Sequence, residues 1–234
     1  GANVTPESPF WIDTLFKMTG DVVSHHQTIF LEDWFYSSQE RLTCETVTSV
    51  AQTETSKTAI ITIPSGPDIN SDALFESFLL SIHAAQSTLL IATPYFIPDN
   101  TIMNALIMAI KRGVNVCLIT NQTSDHLIFD LGSASFVRQL LDVGAKVYCI
   151  PSNIMHAKLM IIDQQAAFFG SANLDYRSLF LNYEICNFIS DSDLVKTLTN
   201  WADTKIQQAQ PYHASSHKIH RFFENLTRVF APLL

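Results

Sequence analysis

The chain has 234 residues, 47% of them hydrophobic and only 15% charged, which is enough to bury one sizeable core or two small ones and too apolar to remain disordered. With 22 acidic against 14 basic side chains the formal net charge is −8, so no nucleic-acid partner is expected. No apolar run approaches the ~20 residues that span a bilayer, residues 1–19 lack the pattern of a signal peptide, and the four cysteines stand far apart with no CxxC pair.

In chain order, a strand is expected at Thr14–Met18 and a helix at Asp21–Ser37, where Val22, His26, Phe30 and Trp34 recur at i, i+4 spacing. Residues Thr43–Lys57 are rich in Thr and Ser with little periodicity and read as a linker. Strands and helices then alternate: strand Ala59–Ile63, helix Ser71–Ala85, strand Thr88–Thr93. Asp99 caps a helix with Ile102, Leu106, Ala109 and Ile110 on one face, and Gly113 ends it. Strand Val114–Thr120, helix Ala134–Val143, a stop at Gly144 and strand Lys146–Ile150 repeat the unit. Two strands, His156–Ile162 and Ala166–Phe169, flank a tight turn at Asp163-Gln164-Gln165, and a third strand is Tyr183–Ile189. A helix at Ser192–Gln208 and, past Pro211, a last helical segment at Ser216–Phe230 complete an α/β layering. The last segment is amphipathic, and suits either docking on the protein body or a membrane interface.

The most informative stretch runs His156-x-Lys158, four residues, Asp163, six residues, Gly170-Ser171-x-Asn173. In a strand, residues i and i+2 share a face, so His156 and Lys158 project together while Asp163 has the opposite parity. Ser171 with Asn173, and Asn182 with Glu184, are cofacial by the same rule. An imidazole nucleophile beside a fixed cation, a hydroxyl and an amide is what attack on a phosphodiester requires, without a metal. Glu184, accepting the other ring N–H of His156, would fix its tautomer. Tyr95, between a strand end and Pro98, lines the site or simply packs. His213, His217 and His220 share a helical face, but no Glu or Cys completes a zinc motif and a solvated face is expected.

At these residues the chain resembles the phospholipase D superfamily with one HKD motif, and within it the C-terminal half of bacterial-type cardiolipin synthases. The resemblance extends to Thr93-Pro94-Tyr95-Phe96-Ile97-Pro98-Asp99, to Lys111-Arg112-Gly113-Val114 and to Asn173-Leu174-Asp175-Tyr176-Arg177-Ser178 with Asn182 and Glu184, and covers nearly the whole chain. It implies an α/β phospholipase D-like layered domain with a central mixed sheet flanked by helices. It implies phosphatidyl transfer through a phosphohistidine, with phosphatidylglycerol as the substrate, at the cytoplasmic face of the cell membrane and with no cofactor. Carried over position by position, the catalytic set is His156 as nucleophile or acid, Lys158, Glu184, and Asp163 in support of the site or of the fold. Lys158, Ser171 and Asn173 hold phosphate, and Tyr95, Asn182 and Asn3 lie at its edge.

Family enzymes of this kind carry two HKD motifs per chain, and His156 begins the one present here. Residues 1–42 resemble the end of a first half, because Gly1-Ala2-Asn3-Val4-Thr5 is similar to Ser171-Ala172-Asn173-Leu174-Asp175; an added Gly-Ala dipeptide is the alternative. The expected organisation is therefore 1–42 from the first half, 43–57 as linker and 58–234 as the second half with its helical tail. The missing half-site comes from that first half or from a homodimer mate. Two rivals stand beside this expectation: a single-motif homodimeric phosphodiesterase or nuclease, and a catalytically silent half-domain.

Overall fold

Runs rich in Val, Ile and Leu with no polar face must be covered on both sides, and the chain meets that demand by burying one sheet between two helical layers. The computed structural model describes residues 10–43, 58–69, 71–123, 127–151 and 153–214. Asn3, most of the 43–57 linker, His217, His220 and the segment Ser216–Phe230 lie outside the described residues.

The elements are β1 (Phe10–Ile12), α1 (Val22–Ser38), β2 (Ile60–Ser65), α2 (Ala73–Ala84), β3 (Thr88–Ala92), β4 (Phe96–Ile97), α3 (Asn100–Lys111), β5 (Asn115–Thr120) and α4 (Leu127–Asp142). They continue as β6 (Lys146–Cys149), β7 (Asn153–Met155), β8 (Leu159–Ile162), β9 (Ala166–Gly170), β10 (Leu174–Asp175), α5 (Tyr176–Phe180), β11 (Glu184–Ile189), α6 (Ser192–Gln208) and β12 (Gln210–Pro211). Eight strands form one mixed sheet in the order β12-β6-β5-β3-β8-β9-β11-β2. Strands β3, β5 and β6 are parallel, whereas β8, β9, β11 and β2 continue from β3 as an antiparallel run.

All four residues of β8 are buried, because alternate side chains enter cores on opposite faces. Met160 and Ile162 join Leu74, Phe78, Leu106 and Leu140 of α2, α3 and α4. Leu159 and Ile161 join Val195, Leu198 and Ala202 of α6, with Ile12, Phe16 and Met18 packed on the same side. Among the described residues no helix is long and apolar enough to cross a membrane.

Most expected elements are present within a few residues, and three differ. Thr14–Met18 has no ladder; the strand lies earlier, at β1, paired parallel to β7. The alternation that suggests a strand is real, since Phe16 and Met18 pack on the core while Leu15 is exposed, but no neighbouring strand takes their backbone groups. Helix α4 begins at Leu127, ahead of the expected Ala134, because Gly132, Ser133 and Ser135 mask its apolar face in the sequence. Finally, the ladder of β8 starts only at Leu159: the amides of His156 and Ala157 both donate to the Ile12 carbonyl, at 2.8 and 3.0 Å.

Asp163 closes the far end of β8. Its carboxylate accepts the backbone N–H groups of Gln86, Ser87 and Thr88 at 2.9, 2.7 and 2.9 Å, and the Ser87 hydroxyl at 2.9 Å. Burial raises its pKa, but those donors outweigh burial and hold it below the usual carboxylate range. A carboxyl depressed on folding contributes stability above its unfolded value, and that contribution is lost as the pH falls through the folded value. Asp163→Asn, which tolerates the left-handed backbone at φ 51°, is therefore expected to cost about 1–3 kcal/mol at neutral pH. Urea unfolding of both proteins from neutral to acid pH checks it: the difference shrinks on acidification.

Candidate active site

One edge of the sheet gathers the polar residues. Strands β3, β5 and β9 end there and β8 and β11 begin there, as the registers Ala92↔Leu159, Leu159↔Phe169 and Cys186↔Gly170 require. Lys158, Ser171 and Glu184 consequently stand at the ends of three adjacent strands, beside the Thr93–Tyr95 turn that follows β3. The carboxyl ends of parallel strands are where open α/β sheets place ligands.

Gly170 makes the approach of β9 to β11 possible. A Cβ there would collide with the Ile185 carbonyl oxygen and come within 2.7 Å of the Cys186 Cα. The close fit lets Ser171 N–H donate to the Ile185 carbonyl at 3.0 Å and the Ser171 hydroxyl accept the Ile185 N–H at 3.0 Å.

His156 and Lys158 lie outside the ladder but still project together. The Lys158 ammonium donates to the His156 carbonyl at 2.6 Å and stands 3.1 Å from His156 Nε2. Its stem borders a narrow, mostly apolar cavity lined also by Ala92, Thr93, Ala172 and Leu174. Burial pushes the ammonium below the ordinary lysine range, against the attraction of Asp13, Glu184 and Asp175.

The expected hydrogen bond from Glu184 to His156 is absent, and Asp13 makes it instead: Asp13 Oδ2 lies 2.9 Å from His156 Nδ1. Parallel pairing of β1 with β7 brings Asp13 to the ring, whereas the Glu184 carboxylate accepts the Asn182 amide at 3.3 Å and is bonded by Ser171. Burial pushes Glu184 upward, against those two donors. Asn182 and Glu184 thus share a face and bond each other, and the further partner of the Glu184 carboxylate is Ser171 and not the imidazole.

Asn173 donates its amide to Asp175, the buried cap of α5 that also accepts the Ser178 N–H at 2.7 Å. Burial pushes Asp175 upward despite these bonds. The Asn173 Oδ1 and the Ser178 hydroxyl are buried without a hydrogen-bond partner, a condition that calls for a local explanation such as strain or an ordered water. Tyr95 sits at the same edge, its carbonyl accepting the Thr93 hydroxyl at 2.8 Å. Asp163 does not join this group, since all of β8 lies between it and Lys158.

Spacing around the HKD motif gave no indication of Asp13, nor of Asn121, whose side chain ties Met155, next to His156, to Pro94: it accepts the Met155 N–H at 2.7 Å and donates to the Met155 and Pro94 carbonyls at 3.1 Å. The Trp11-x-Asp13 pair has the same-face parity as His156-x-Lys158, but nothing in that parity ties Asp13 to His156, which it meets through the β1–β7 pairing. Among the described residues no three His, Cys, Asp or Glu side chains gather as a metal site. What the arrangement offers is an imidazole with a carboxylate on one nitrogen and a cation on the other.

The family model described as "Cardiolipin synthase, PLD-like domain" matches residues 79–206. Cardiolipin synthase 2 of Bacillus cereus is 32% identical over 230 residues, 96% of this chain but 45% of its own length. The chain thus spans about half the length of the curated relatives it matches. Among solved structures, the phospholipase D family member Nuc from Salmonella typhimurium is 19% identical with a TM-score of 0.55, over 66% of this chain and 99% of its own. The phosphatidylserine synthase of Haemophilus influenzae is 16% identical with a TM-score of 0.59, over 75% of this chain and 46% of its own. The same fold therefore occurs both as a whole chain and as about half of a longer one.

Proposed function

The chain belongs to the PLD-like domain family of the cardiolipin synthases, and on that premise we propose that its sheet edge is one of two half-sites that transfer a phosphatidyl group between phospholipids at a membrane surface. The observation that carries this is His156, held at Nδ1 by Asp13 at 2.9 Å with its Nε2 3.1 Å from the Lys158 ammonium. With Nδ1–H fixed on a carboxylate, Nε2 presents its lone pair. A phosphate oxygen that takes the Lys158 ammonium from Nε2 frees that lone pair beside phosphorus.

Nε2 then forms a bond to phosphorus as the bond to the leaving alkoxide breaks, giving a phosphohistidine. The hydroxyl of a second lipid, giving its proton to the group that protonated the leaving alkoxide, then attacks that phosphorus as the bond to Nε2 breaks, and His156 is released. Lys158, Ser171 and Asn173 stabilise the charged oxygens. Phosphatidylglycerol as donor would leave glycerol.

Among the described residues the half-site presents no acid to the leaving alkoxide. Entering and leaving groups lie in line, so that proton must come from the side opposite His156. Lys158 also faces the three carboxylates Asp13, Asp175 and Glu184, which is a poor field for an anionic diester on its own. A second His-Lys pair completes it, supplied by a preceding half that ends in residues 1–42 and joins residues 58–234 through the 43–57 linker, or by a second copy. Glu184, which does not bond His156, then serves the histidine of the other half as Asp13 serves His156.

The test measures solution mass and phosphatidylglycerol turnover on vesicles across a dilution series of this chain. A monomer is expected to be inactive, with turnover returning only in a dimer or with the other half present. Full, concentration-independent turnover by a monomer overturns the two-half site.

A further inference from the structure

Asp13 and Lys158 hold the His156 imidazole by its edge; its face is covered by Trp11. The two rings lie with centroids 4.4 Å apart and planes inclined by 31°. Burial of the indole does not explain this, because Trp11 remains 55% exposed while its neighbour Ile12 packs on the core. The position is built by the backbone instead: Trp11 is fixed opposite Ile154 by the β1–β7 pairing, and the next carbonyl, Ile12 O, receives the His156 and Ala157 amides. Three consecutive residues thus hold one histidine: Trp11 its face, Ile12 its backbone and Asp13 its Nδ1.

We propose that Trp11 is a positioning residue whose indole face stabilises the positive charge that the His156 ring acquires when Nε2 bonds to phosphorus. The proposal rests on the phosphohistidine reading above. A neutral imidazole with its proton on Nδ1 gives the Nε2 lone pair to phosphorus, the phosphorus–oxygen bond breaks, and the alkoxide takes a proton from the acid of the other half. The ring then carries phosphorus on one nitrogen, a proton on the other and a formal charge of about +1. The charged groups around it are Asp13 at Nδ1 and Lys158 at Nε2, with Glu184 and Asp175 beyond Lys158. Lys158 opposes the new charge, and the Asp13 carboxylate is 53% exposed and therefore screened by water. The indole quadrupole acts at contact on the ring face that neither Asp13 nor Lys158 reaches, with the modest strength of an exposed site.

Because the charge develops only in the reaction, loss of the indole should fall on kcat and leave KM within about twofold. In the enzyme assembled with both half-sites, Trp11→Leu is expected to lower kcat by about threefold to fivefold, and Trp11→Phe, which keeps a π face, to recover most of it. A second readout needs no turnover. The chain has 3 tryptophans, so Trp34→Phe with Trp201→Phe leaves Trp11 as the sole indole emitter. An imidazolium in contact quenches indole emission, so acid should lower Trp11 emission in a step that disappears in His156→Asn. If Trp11→Leu keeps kcat within twofold beside an inactive His156→Asn, or if the emission step persists without His156, the proposal is overturned alone. If His156→Asn itself remains active, the phosphohistidine reading falls and takes the proposal with it.

Discussion

Replacing His156 by asparagine in an enzyme with both half-sites is expected to lower phosphatidyl transfer by about a thousandfold or more. Asparagine keeps a polar side chain at Nδ1 distance from Asp13 but has no lone pair where Nε2 stands, and the covalent step has no substitute. His26 is engaged with Asn187 at 3.1 Å through its Nε2 and serves packing of α1 on the sheet. Lys158 is the nearest other base, but its Nζ is directed at the His156 carbonyl, 2.6 Å away. The fold should survive, since the His156 side chain is 30% exposed and its backbone contacts to Ile12 do not depend on the ring. Product formation from labelled phosphatidylglycerol, with thermal unfolding as control, measures both. Turnover within a few-fold of the parent, from a protein that unfolds normally, removes His156 from the chemistry.

Asp13→Asn is expected to cost about a hundredfold in kcat, and Asp13→Glu less. A carboxylate at Nδ1 does two things: it fixes the tautomer that exposes Nε2, and it neutralises the ring when phosphorus is attached. In buried triads that loss reaches ~10⁴-fold, but Asp13 is half-exposed, so water replaces part of the interaction. The variant amide can offer either its oxygen or its NH2 group to the ring, and the second choice moves the imidazole proton to Nε2. Steady-state kinetics on mixed vesicles tests this. A fall confined to KM would make Asp13 a substrate contact and return the orientation of His156 to another group.

These two residues also mark what was legible in the sequence. His156 and Lys158 are two positions apart, and local parity sufficed to bring them together. The same holds for Asp99, which caps α3 at 2.9 Å, and for Gly113 and Gly144, with φ of 95° and 102°, which end their helices. Asp13 lies 143 residues from His156. Such a contact is written in tertiary packing, which spacing along a strand does not encode. Glu184 was the natural candidate because it shares the sheet edge. Its carboxylate, however, is taken by Asn182 and Ser171, while the ring is turned toward β1 by a backbone pairing that no local pattern announces. Helix α4 reads shorter in the sequence than it is for a different reason: Gly132 and Ser135 are buried without looking apolar.

The pairing of β1 with β7 has a kinetic side. An eight-stranded sheet opens only with the global unfolding of its cores, whereas a three-residue strand frays on its own at far lower free energy. The amides of His156 and Ala157 have their acceptor on that strand, so their protection against solvent exchange follows the docking of residues 10–12 and not the stability of the sheet. Contacts of such long sequence separation also form late in folding. The imidazole thus acquires its working orientation after the scaffold is complete, at a seam whose closure rate sets how quickly a folded molecule becomes a competent one.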